Sequence, residues 1–105
     1  MADEPTAAAR LLRLPDEEGH PVVGLAGEMD CSSVEAVRRA LAPIVDTQPG
    51  RVTFDLSELR FVDSSGLTML MATAERTSVV LRNPTPIVRQ LLEVTGLSDV
   101  LNLQR

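Results

Sequence analysis

Between Arg51 and Ala74 the apolar residues change period in mid-chain, which dictates a strand feeding a helix through a short polar turn. Val52, Phe54 and Leu56 alternate with Thr53 and Asp55, the two-residue repeat of a strand over Arg51 to Leu56 with one buried face. Leu67, Leu70, Met71 and Ala74 then recur at steps of three, four and seven, the repeat of a helix face, with Thr77 as its end. Between the two patterns a polar loop leads into Phe61-Val62-Asp63-Ser64-Ser65-Gly66. Asp and Ser side-chain oxygens accept from the first N–H groups of a helix, which lack helical partners, so this turn is a helix start. The same unpaired N–H groups and the helix dipole make it a place where an anion would be welcome.

The remainder of the chain repeats the motif. Met1 to Ala8 reads as a flexible tail and residues 9–105 as one domain. Arg10 to Leu14 and Val22 to Gly27 are strands, joined as a hairpin by the turn Pro15 to Pro21. Asp30-Cys31-Ser32-Ser33 supplies caps for a helix bearing Val34, Val37, Leu41, Ile44 and Val45, with Asp30 as a capping side chain. Pro43 lies inside that stripe and predicts a kink or break, since it has no N–H to donate. Ser78 to Leu81 is a fourth strand. Asn83-Pro84-Thr85-Pro86 opens a third helix with Thr85 as cap and Pro86 at the first position, and Gly96 closes it. Leu97 to Leu103 ends the domain as a short strand or turn. The order β-β-α-β-α-β-α-β predicts an α/β fold with a mixed, mostly parallel sheet flanked by helices. Sites in such sheets lie beyond the C-terminal ends of strands, which singles out Gly27–Ser33, Leu56–Gly66 and Asn83–Pro86.

Composition removes many functions. The 105 residues carry a net charge of −5 and no lysine, so a basic surface for nucleic acid or anionic membrane is not expected. No apolar run approaches the ~20 residues of a membrane span, and no leader pattern precedes the domain. One cysteine allows no internal disulfide, which predicts a cytoplasmic protein and gives Cys31 no redox role. With two aromatic residues, both Phe, the core must be aliphatic. Triad chemistry lacks its parts, because the single histidine, His20, sits in a turn and no Gly-x-Ser-x-Gly elbow occurs. Asp55 ends a third strand as a receiver-domain aspartate would, but the lysine that chemistry needs is missing. Metal-ligand spacings and Gly-rich phosphate loops are absent, so no metal, cofactor or enzymatic activity is expected.

Five segments in order resemble the STAS domain of anti-sigma-factor antagonists over residues 9–103: Gly27-Glu28-Met29-Asp30, Asp55-Leu56-Ser57, Val62 to Leu67, Asn83 to Pro86, and Leu91 to Leu97. The resemblance implies a STAS fold and a bacterial regulator of transcription that switches partners. In that family the serine after the aspartate, here Ser64, is phosphorylated by a kinase that is also an anti-sigma factor. The unphosphorylated antagonist binds that kinase and frees a sigma factor; phosphorylation ends the binding, and a phosphatase would reset it. By the same resemblance Asp30, Asp63, Ser64, Ser65, Gly66 and Asn83 form the partner-binding surface, with Asp30, Ser64 and Asn83 clustered. The stretch from Gly66 to Asn83 is shorter than is usual in the family. The competing expectation is an unswitched STAS scaffold, of lipid-transport or stressosome type, in which Ser64 is a helix cap only. A monomer is the default oligomeric state.

Overall fold

A computed structural model describes residues 8–104. A five-stranded sheet in the order β1-β2-β3-β4-β5 consists of Arg10–Glu17, His20–Met29, Arg51–Val62, Ser78–Arg82 and Asn102–Leu103. Only β1 runs antiparallel, against β2, and every later pairing is parallel. Helices α1 (Val34–Asp46), α2 (Ser64–Ala74), α3 (Pro86–Val94) and the short α4 (Leu97–Val100) make the connections. Val37, Leu41 and Val45 of α1, Leu67, Met69 and Leu70 of α2, and Val88 and Leu92 of α3 pack into one core with Val23, Leu25, Phe54 and Leu81. The opposite face of the sheet, where Val22, Thr53 and Val80 lie side by side, has no helix over it among the described residues.

Several expectations need correction. Strand β1 continues past Leu14 to Glu17, and β2 begins at His20, leaving only Glu18 and Gly19 to turn the chain. Pro15 fits because β1 is an edge strand whose register slips between Leu14 and Glu17. Strand β3 does not stop at Leu56 but runs on to Val62, with two irregularities in its pairing to β2. The alternation fades there because each irregularity shifts which residues face the core. Helix α1 passes through Pro43 without a break. That residue is exposed in the last turn, where the carbonyl it leaves unpaired, on exposed Arg39, can reach solvent. Helix α2 ends at Ala74 rather than Thr77, and its buried side includes Met69 and Thr73 while Met71 and Ala74 are half-buried. A helix apolar on most sides gives the period little to select between these faces.

The third helix starts at Pro86 with Thr85 as cap, as expected, and Gly96 follows it with φ +79°. Leu97 to Leu103 supplies both a helical turn and the short fifth strand. Of the tail, Ala8 bridges to Glu28; the expectation for Met1 to Ala7 lies outside the described residues. Among the described residues no helix is long and apolar enough to cross a membrane, and no metal-binding cluster occurs.

Candidate functional site

Strands β2 and β3 end together, Met29 opposite Val62, and each breaks into a turn that begins a helix. The Asp63 N–H donates to the Met29 carbonyl at 3.0 Å, which fastens the second turn to the first. Asp63 is the N-cap of α2, with extended backbone, and its Oδ1 accepts from the Ser65 N–H at 2.9 Å and the Gly66 N–H at 3.3 Å. The Ser65 hydroxyl donates to the same oxygen at 2.6 Å. Two of the first-turn N–H groups that looked open to an external anion, those of Ser65 and Gly66, are therefore occupied by the chain's own carboxylate. The Ser65 hydroxyl, opposing burial, and the N–H groups of Gly66, Ser65 and neighbouring Cys31 together hold the Asp63 pKa below its ordinary value.

The two serines are thus unlike. Ser65 is half-buried and bonded to Asp63, whereas Ser64 is the exposed first residue of α2 and its hydroxyl has no hydrogen-bond partner among the described residues.

Asp30 repeats this geometry one strand away. Its Oδ1 accepts from the Ser32 N–H at 2.9 Å and the Ser32 hydroxyl at 2.6 Å, and the Ser32 hydroxyl leads the contacts that lower its pKa. Its carboxylate does not cap α1. The N-cap is Ser33, whose hydroxyl donates instead to the Glu28 carbonyl at 3.1 Å, while the Asp30 carbonyl accepts from the N–H groups of Ser33 and Val34. Exposed Cys31 occupies in this turn the place that Ser64 has in the other. The same bonds recur inside strand β3 between Asp55 and Ser57, at 3.0 and 2.7 Å. Its signal was the Asp-x-Ser spacing that it shares with the two turns.

Asn83 stands apart. It has φ +56° and donates through Nδ2 to the Asp55 carboxylate at 3.3 Å. Arg82 pairs in register with Asp55, and Val62 is seven residues further along β3, or about 20 Å at a strand's rise. Asp30, Asp63, Ser64 and half-buried Ser65 therefore lie at the paired ends of β2 and β3 with Gly66 buried beneath them, and Asn83 lies beside Asp55 and Arg82. For Asp55, opposing burial is outweighed by the N–H and hydroxyl of Ser57, the Asn83 amide and the Arg82 charge, so its pKa is lowered.

The chain matches the family model described as Mlab, STAS domain, over residues 12–104. It is 30% identical over 94 residues to the anti-sigma-F factor antagonist RsfB of Mycobacterium tuberculosis, a match covering 84% of this chain and 75% of that protein. It is 29% identical over 86 residues to the anti-sigma-B factor antagonist of Bacillus subtilis, covering 77% and 78% of the two. Among solved structures, an anti-sigma factor antagonist from Mycobacterium paratuberculosis superposes with a TM-score of 0.82 at 30% identity, over 91% of this chain and 85% of that one. Unphosphorylated SpoIIAA shares the fold with a TM-score of 0.74 at 22% identity, over 91% and 89%. The chain belongs to the STAS domain family, among the anti-sigma-factor antagonists.

Proposed function

We propose that this protein is a cytoplasmic anti-sigma-factor antagonist whose unmodified Ser64 surface binds an anti-sigma factor with serine kinase activity, and that phosphorylation of Ser64 ends the binding. The observation that supports this best is the difference between the serines: Ser65 is tied to Asp63 at 2.6 Å, while Ser64 is exposed and unbonded among the described residues. A kinase can reach the Ser64 hydroxyl without dismantling the helix cap. Phosphate adds about −1.5 to −2 charge beside Asp63 and Asp30. Because Asp63 already takes the N–H groups of Ser65 and Gly66, the new charge finds few free donors within the protein and faces the partner. At a surface fitted to a neutral hydroxyl this costs ~2–5 kcal/mol, or about 30- to several-thousand-fold in affinity. No refolding is required. Asp30, Asp63 and Ser65 lie inside the footprint with Gly66 buried beneath them, and Asn83 lies at its margin, since ~800 Å² per partner spans roughly 30 Å.

The test is to incubate the protein with ATP and a candidate kinase encoded near it, then weigh it. A gain of ~80 Da on Ser64, abolished in Ser64→Ala, is expected. Ser64→Ala should bind the kinase constitutively and Ser64→Asp at least about 30-fold more weakly; equal affinities would overturn the switch. One other reading rests on the matching family model, which is described by its STAS domain and names no switch: an unswitched STAS scaffold, of lipid-transport or stressosome type. That reading predicts no mass gain with any such kinase and a Ser64 that only opens α2.

A further inference from the structure

The tip of the β1–β2 hairpin arches over the helix-free face of the sheet at the end of β3 remote from Ser64. Two ion pairs pin it there. The Glu17 carboxylate receives Nη1 of Arg82, two strands beyond β2, at 2.9 and 3.0 Å, and the Glu18 carboxylate receives Nη2 of Arg51 at 3.2 Å. Glu18 reaches that position from a left-handed backbone, φ +55°. Beneath the arch lies an open cleft of ≈ 490 Å³, with Glu17 and Glu18 on one wall and Arg51, Thr53, Val80 and Arg82 on the other.

The two arginines are not used alike. Arg82 is engaged by Glu17 and, through Nε at 3.6 Å, by Asp55. Arg51 holds Glu18 by Nη2 alone, and its Nε is buried with no acceptor among the described residues. Nε and Nη2 form the side-on edge of a guanidinium, the edge that grips a carboxylate through two parallel bonds. Glu18 uses half of that edge, and its side chain is 83% exposed, so the existing pair is weak and open to exchange. Thr53 lies two residues along the same strand face, with a hydroxyl that makes no hydrogen bond to another described residue.

We infer that this cleft binds a free α-amino acid. The ligand's carboxylate takes the Nε–Nη2 edge of Arg51 and the Thr53 hydroxyl, its ammonium takes the Glu18 carboxylate that Arg51 releases, and its side chain lies over Val80. Charge balance selects this class. A simple anion at Arg51 would leave Glu18 unpaired and face Glu17 as well, and a simple cation would leave Arg51 unpaired. A zwitterion exchanges one ion pair for two and disturbs neither Glu17 nor Arg82.

The Nε–H resonance of Arg51, assigned by its loss in Arg51→Lys, reads the site directly in the ¹⁵N-labelled protein. Titration with glycine or L-leucine should shift it saturably in the millimolar range, while acetate and methylammonium act at least about tenfold more weakly. Thr53→Val and Glu18→Gln should each weaken the amino acid by about threefold or more with the fold intact by thermal melting. The inference fails if no amino acid gives a saturable shift up to about 100 mM. It fails equally if acetate matches glycine, which makes the cleft a plain anion site, or if diglycine binds more tightly than either amino acid, which makes it a peptide site. Unchanged amino-acid affinity in both folded variants would place the ligand elsewhere.

Discussion

Gly66 has no room for a side chain. A Cβ there would come within 2.5 Å of the Val62 Cγ2 and 3.1 Å of the Met29 side chain, the two residues that end β3 and β2. Its value is the close approach of α2 to the strand ends, which puts Ser64 at the surface and Ser65 against Asp63. Gly66→Ala should therefore destabilise by ~1–3 kcal/mol through overpacking. For a domain of this size that lowers Tm by about 4–8 °C per kcal/mol, measurable by circular dichroism. An unchanged Tm would show that the strand ends can yield. The neighbouring serines carry the complementary lesson: three Asp-x-Ser pairs, two in turns and one within β3, use the same bonds, so a hydroxyl beside an aspartate is ordinarily a structural one. Ser64 is informative because it is the member of its turn that those bonds leave out.

At the scale of elements, the chain order and the parallel sheet were legible because period changes separate strands from helices and side-chain caps mark the starts of α2 and α3. Thr85 with Pro86, and Gly96 after Thr95, are positions where backbone chemistry alone decides. The length of β3 was not legible, because Ser57 to Phe61 owes its extended form to β2, a partner distant in sequence. The same extra length separates Asp55, which Asn83 contacts, from the end of β3 that leads into Asp63. Local capping could not reveal where β4 stops relative to β3. Thr85 shows what holds that region: its hydroxyl donates to the Leu59 carbonyl at 3.2 Å and accepts from the Val88 N–H at 3.4 Å. Thr85→Ala should cost ~1 kcal/mol in urea unfolding, and Thr85→Ser should recover most of it. Equal losses in both variants would assign the effect to the methyl group rather than the cap.

Across the whole molecule, acid is the condition that tests these Asp-x-Ser pairs together. Asp30, Asp55 and Asp63 all have folded-state pKa values below the ordinary carboxylate value. Each binds its proton more readily when unfolded, so its contribution is complete above the unfolded pKa, about 4, and disappears as pH falls through the lower folded value. Arg82 is shifted upward, so its contribution is present throughout the neutral and acid range and gives no acid slope. Asp55 is the carboxylate to vary, since it joins Ser57, Asn83 and Arg82 without touching the Ser64 surface. Asp55→Asn keeps the shape and removes the charge. At pH 7 the variant should unfold at lower urea than the parent, and the gap should narrow as pH falls towards about 3, where the parent's own carboxyl is increasingly protonated. A gap that stays constant with pH would mean that Asp55 acts through packing or hydrogen-bond geometry, and that its charge stabilises nothing.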